Sequence, residues 1–132
     1  AQHTGKKTAY LCYLIYVFPT LCDMLQLPVP QSVDGISLLS SLDGKEPVRD
    51  YLYYSYMDNQ RGISDGTWKL IEYHVNGKRT TQLFNLKNDP WERNDLSGQK
   101  KYEKTIQRLR EKMAEEQKRT NDTSVFWNNF SY

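Results

Sequence analysis

The stretch Thr67-Trp68-Lys69-Leu70-Ile71-Glu72-Tyr73-His74-Val75-Asn76-Gly77-Lys78-Arg79-Thr80-Thr81-Gln82-Leu83-Phe84-Asn85-Leu86 decides the fold class. Asn76-Gly77 is the strongest short hairpin signal, because a type I′ turn needs positive φ at both central residues. The aromatic and β-branched runs on either side predict strands over 67–75 and 80–86. Asn88-Asp89-Pro90 closes the second of them. Upstream, Tyr51-Leu52-Tyr53-Tyr54-Ser55-Tyr56 predicts a strand over 51–56, and Arg61 to Ser64 a short one before the Asp65-Gly66 turn. The expectation is an antiparallel meander of three or four strands.

Downstream, Tyr102, Ile106, Leu109 and Met113 recur at helical spacing. They predict one long helix over 99–119, whose apolar stripe packs on one face of the meander and whose charged face is solvated. Ser97 is a candidate cap, although Lys100 stands where a capping box wants Glu or Gln. The aromatic tail 125–132 is expected to fold back on the domain.

The other end reads differently. Ala9-Tyr10-Leu11-Cys12-Tyr13-Leu14-Ile15-Tyr16-Val17 is a continuous apolar run without alternation. Such a run suits a strand buried on both faces, with a buried helix as the competitor. Pro19 suits a first helical turn and Pro28 and Pro30 stop a helix, so strand 9–16 and helix 18–26 are expected. Residues 28–35 form a loop, and Ile36 to Leu42 a short helical stretch. A doubly buried strand without neighbours marks residues 1–45 as the end of a larger α/β domain, followed by a second unit over 46–132. The overall class is α+β. An unpaired apolar strand also predicts that the isolated chain self-associates.

Composition narrows the function. Among 132 residues, 18 basic ones face 16 acidic ones, a net charge of +2 that lacks the concentrated excess of a nucleic-acid binder. An aromatic share of 13% excludes wholesale disorder. No apolar run reaches the about 18 residues of a membrane span. The start at Ala1, without methionine or leader pattern, is expected of a fragment or a processed chain. One helix through Cys12 and Cys22 would hold them about 15 Å apart, while a strand followed by a returning helix could bring them closer; the expectation is two free buried thiols.

No self-contained active site is visible. His3 and His74 are isolated, and neither zinc spacing, a Gly-rich phosphate loop nor a Gly-x-Ser-x-Gly elbow occurs. Asn121-Asp122-Thr123 and Asn129-Phe130-Ser131 fit the glycosylation acceptor pattern, a triplet common by chance.

Four motifs in order carry a resemblance. They are Val17-Phe18-Pro19-Thr20-Leu21-Cys22-Asp23-Met24-Leu25 with Leu27-Pro28-Val29-Pro30, Val33-Asp34-Gly35-Ile36-Ser37-Leu38-Leu39, Trp68-Lys69-Leu70-Ile71-Glu72-Tyr73, and Gln82-Leu83-Phe84-Asn85-Leu86-Lys87-Asn88-Asp89-Pro90-Trp91-Glu92 with Asn94-Asp95-Leu96. The whole chain resembles the C-terminal portion of the formylglycine-dependent sulfatases of the alkaline phosphatase superfamily. It departs from them where they often carry Asp at Tyr16 and Asn85 and Asn at Asp95.

The resemblance implies the end of an α/β catalytic domain, then a small antiparallel sheet packed on one helix. It implies hydrolysis of sulfate esters, most plausibly of sulfated carbohydrate, with aryl sulfate as a model substrate. The family's nucleophile is a formylglycine made in Cys/Ser-x-Pro-x-Arg, beside calcium. Here the only Pro-x-Arg is Pro47-Val48-Arg49, with Lys45 at the nucleophile position, and lysine cannot become formylglycine. Nucleophile and metal site therefore fall to an upstream domain of the same polypeptide, and the chain alone should be inactive. Catalytic and metal-binding residues are expected to be none.

The loop Asp58-Asn59-Gln60-Arg61 would face the cleft, with Gln60 or Arg61 touching substrate beyond the sulfate. On that reading, Arg61→Ala raises KM for a glycan more than for an aryl sulfate. An extracytoplasmic location, periplasmic or secreted, is also implied. The alternatives are a non-catalytic carbohydrate-binding module, with ten tyrosines and three tryptophans to stack on sugars, or an inactive remnant.

Overall fold

The hairpin forms around Asn76 and Gly77, whose φ angles of 51° and 74° give the type I′ turn its two left-handed residues. A computed structural model describes residues 5, 7–44 and 47–124. They form α1 (Val17–Met24), α2 (Leu39–Leu42), β1 (Leu52–Tyr56), β2 (Gln60–Ser64), β3 (Trp68–Val75), β4 (Lys78–Asn85) and α3 (Glu103–Arg119). The four strands make one sheet in the order β1-β2-β3-β4, antiparallel from β2 to β4. The chain divides into two compact units, Ala1–Leu52 and Tyr53–Tyr132. The expected aromatic tail, the second glycosylation triplet, His3 and Lys45 lie outside the described residues.

Register sorts the sheet into cross-strand rows. Ile63 pairs with Leu70, and Leu70 with Leu83. All three are fully buried, as is Leu109 of α3, with Ile106 and Met113 beside it in the core. The helical stripe therefore does pack on the meander, where α3 lies over β2 and β3. Tyr102 stands at its edge, its ring 5.2 Å from that of Trp68. Each of these aliphatic side chains contributes about 1.5–3 kcal/mol by leaving water.

Two details of the helix differ from expectation. A single 3-10 turn, Lys100–Tyr102, precedes α3, and neither start has a side-chain cap. The Ser97 hydroxyl instead donates to the Thr81 carbonyl at 2.9 Å, tying the connection to β4. The charged face is also not wholly solvated, because Arg108 and Arg110 reach back to the sheet.

In the first unit, the expected strand 9–16 does not form. Residues 7–13 have no regular structure and Leu14–Tyr16 make a 3-10 turn that runs into α1. A strand needs a partner for its backbone groups, and no described residue supplies one. Pro19 lies in the first turn of α1, and Tyr16 opens it without a side-chain cap, as the departure from Asp predicts. Thr20 fastens the unit: its hydroxyl donates to the Tyr16 carbonyl and accepts from the Leu38 amide at 2.9 Å. Gly35 is required where the following loop crosses, since a Cβ there would run into the Ile15 carbonyl oxygen. Arg49 donates to the Tyr16 hydroxyl and stacks over the rings of Tyr13 and Tyr16. Both cysteines are free; Cys22 is buried, but Cys12 is exposed because the strand that would bury it is absent.

Candidate functional site

One row above the apolar rows, the sheet turns polar. Arg61 pairs across with Glu72, and Glu72 with Thr81. Arg61 and Glu72 are buried, their side chains 4% and 2% exposed. Burying charge is costly unless it is paired and hydrogen-bonded, so each partner matters.

Arg61 and Gln60 do not lie in a loop; both belong to β2, and the turn before them is residues 57–59. The Arg61 guanidinium points inward. Its Nε donates to one Asp122 oxygen at 2.6 Å and its Nη2 to the other at 3.0 Å, the fork geometry that suits a carboxylate. Its Nη1 donates to the carbonyls of Met57 and Gln60 at 2.5 and 2.8 Å. Met57 has φ 47°, a left-handed conformation uncommon for a side-chain-bearing residue, and Arg61 helps hold it. The Tyr53 hydroxyl donates to Asp122 at 2.7 Å. Arg61 thus joins β1, β2 and the segment after α3. The Arg61 side chain expected at the substrate is therefore buried and bonded within this network. Gln60, half-buried, stays at the turn.

A second network pins the helix. Arg110 Nε donates to Glu72 at 2.6 Å and its Nη2 to the Thr81 hydroxyl at 3.0 Å, while that hydroxyl donates to the other Glu72 oxygen at 2.6 Å. Asp65 closes the β2–β3 turn by accepting from the Thr67 and Trp68 amides at 2.9 and 2.7 Å, and its other oxygen accepts from Arg108 at 2.7 Å. On the loop after β4, Glu92 takes Lys69 Nζ on both oxygens at 2.9 Å and leaves Trp91 76% exposed.

Burial pushes the Asp122 carboxyl up, but the bonds from Arg61 and Tyr53 outweigh it and hold it below the usual carboxylate range. Burial likewise opposes, and the Trp68 amide, Arg108 and the Thr67 amide overcome it, at Asp65. Burial and Asp122 push the Tyr53 hydroxyl up. A carboxyl with a depressed folded pKa stabilises fully above its unfolded value of about 3.9, and loses that contribution as pH falls through the folded value. The urea midpoint should therefore drop from about pH 5 to about pH 3. The Asp65→Asn/Asp122→Asn variant should show a flatter profile; an equally steep one would assign the acid sensitivity elsewhere.

Sequence reasoning missed Tyr53, Glu72, Arg110 and Asp122. One signal was available: Glu72 alternates with Leu70 on the face that the helix covers. Among the described residues, no three His, Cys, Asp or Glu side chains converge as a metal site. No catalytic step is assigned to these residues. No helix among them is long and apolar enough to cross a membrane.

A four-stranded antiparallel sheet backed by one long helix over an internal polar layer is the class of unit these residues define. Solved sulfatases share this fold. A protein in complex with its substrate D-glucosamine-2-N,6-O-disulfate matches at TM-score 0.65 and 28% identity, covering 82% of this chain and 24% of that one. A 2-O GAG sulfatase matches at TM-score 0.63 and 28% identity, covering 80% and 24%. The N-acetylglucosamine-6-O-sulfatase of Bacteroides thetaiotaomicron is 30% identical over 134 residues, covering 92% of this chain and 24% of the relative. The family described as "N-sulphoglucosamine sulphohydrolase, C-terminal" matches residues 2–119. The chain belongs to that family. It spans about a fifth to a quarter of the length of the curated sulfatases it matches.

Proposed function

We propose that this chain is the C-terminal part of an enzyme that hydrolyses sulfate esters of sulfated carbohydrates. The observation that carries the reading is the family match over residues 2–119, joined to relatives four times as long that act on sulfated sugars. The first unit supports it. Leu14, Phe18, Leu21, Met24 and Leu25 are each more than half exposed, from 52% to 87%. Apolar surface so concentrated on one short helix and its entry marks a contact face. Its partner is the upstream catalytic domain, where calcium and a formylglycine nucleophile reside. The sheet unit borders the cleft through its β1–β2 turn, with Gln60 the residue nearest to substrate and Arg61 fixing that turn. The enzyme works outside the cytoplasm.

The test is sulfate release. The longer polypeptide, expressed with formylglycine installation and calcium, should hydrolyse a 6-O-sulfated glucosamine, while the 132-residue chain should not. A longer polypeptide that releases no sulfate from sugar or aryl esters would overturn the reading, as would turnover by the chain alone. The alternative, a non-catalytic carbohydrate-binding module, draws on the exposed indole of Trp91. It predicts glycan binding by the chain that Trp91→Ala abolishes.

A further inference from the structure

Residues 9–18 are the longest unbroken apolar run of the chain, and the fold leaves much of it open. Ala9 and Cys12 are exposed, and Leu14 and Ile15 are 87% and 57% exposed. Residues 7–13 have no regular structure, and Tyr13 stands at φ −98° and ψ 153°, an extended conformation. Among the described residues, the backbone groups of Leu11 and Cys12 meet no hydrogen-bond partner. The aromatic and aliphatic side chains of this run suit a strand, and only another backbone is missing.

The downstream end of the run is already fixed. Tyr16 is fully buried, Thr20 ties its carbonyl to the Leu38 amide, and Arg49 donates to its hydroxyl. Gly35 lets the following loop cross at the Ile15 carbonyl. A segment whose exit is held in this way loses less entropy on docking than a free one.

The pattern says what the run fits. A strand with one wet face alternates apolar and polar residues; this one does not alternate, so both its faces belong under cover. Helix α1 follows directly and exposes Leu21 and Met24, 52% and 58%. Concentrated apolar surface of this kind marks a contact with a larger body. A second copy of the chain would bring the same open run and no layers to cover it. The matches to solved sulfatases span only 24% of each, so most of such a protein lies outside the matched part.

We propose that residues 9–13 become a β-strand by adding to a sheet of the upstream domain, with the apolar face of α1 sealing the junction. Main-chain bonds would fix the register and the side chains supply the buried area, as in other strand additions. This deepens the functional reading above and rests on it for the presence of that domain.

Hydrogen exchange read by mass spectrometry, on the longer polypeptide and on the 132-residue chain, tests it. Peptides over residues 9–14 should exchange about a hundredfold more slowly, or slower still, in the longer polypeptide. Successive amides of a strand point to opposite sides, so the Leu11→Pro/Cys12→Pro variant removes a ladder donor whichever way the strand lies. It should lose the protection, whereas Leu11→Ala, which keeps its donor, should retain it. The unmutated comparison stands by itself if the proline variant fails to fold. Equal exchange in the two proteins overturns the proposal, as does protection that survives the proline variant. Protection in the 132-residue chain that rises with its concentration assigns the segment to a second copy and overturns it too. Sulfate release is measured separately. An active enzyme whose residues 9–14 exchange freely refutes this inference alone, whereas a protected segment without sulfate release refutes the catalytic reading alone.

Discussion

Arg61→Ala should lower the stability of the sheet-and-helix unit by about 3–5 kcal/mol, because it strands a partly buried carboxylate and removes the bonds that hold the left-handed Met57. For a unit of this size that is a fall in melting temperature of about 12 °C or more. Arg61→Lys should rescue little, since an ammonium cannot bridge both Asp122 oxygens and still reach the Met57 carbonyl. Asp122→Ala should cost a comparable amount, as it leaves the Arg61 charge buried and the Tyr53 hydroxyl without its acceptor. Thermal melts of the three variants check this. An Arg61→Ala chain that melts within about 2 °C of the parent would mean that the network adds nothing. Loss of glycan affinity by Arg61→Ala is otherwise read as collapse of the turn that precedes Gln60.

The second large effect is expected at Arg110. Arg110→Met keeps the aliphatic stem but leaves Glu72, 2% exposed, with only the Thr81 hydroxyl. The cost should again be about 3–5 kcal/mol, read as a lower urea midpoint with an unchanged slope. Glu72→Leu in the same chain should recover most of it, because removing both charges leaves no unpaired ion. The double-mutant cycle separates this from lost packing. If the double variant is no more stable than Arg110→Met alone, the cost lies in the packing of the arginine stem and not in the stranded carboxylate.

Much of the fold was legible from local physical chemistry. Asn76-Gly77 specifies its turn because few residue types tolerate two successive positive φ angles. The strands on either side, and the stripe Ile106, Leu109 and Met113, follow from periodicities of two and 3.6, which one covered face imposes on any sheet or helix. The ordered motifs likewise sufficed for the family. The strand expected over 9–16 failed for the complementary reason. An apolar run states that a segment will be buried, but a strand exists only when another backbone meets its hydrogen-bonding groups.

The polar row lay beyond such reasoning. Nothing local tells Arg61 that Asp122, 61 residues on, will take both arms of its fork, or Glu72 that Arg110 will cross from the helix. By itself the sequence determined turn chemistry, amphipathic faces and family, all of which depend on neighbours along the chain. Only the tertiary structure decided which charges are buried and with whom. Those outcomes depend on strand register and helix placement, which bring distant residues within the few ångströms over which hydrogen bonds and ion pairs act.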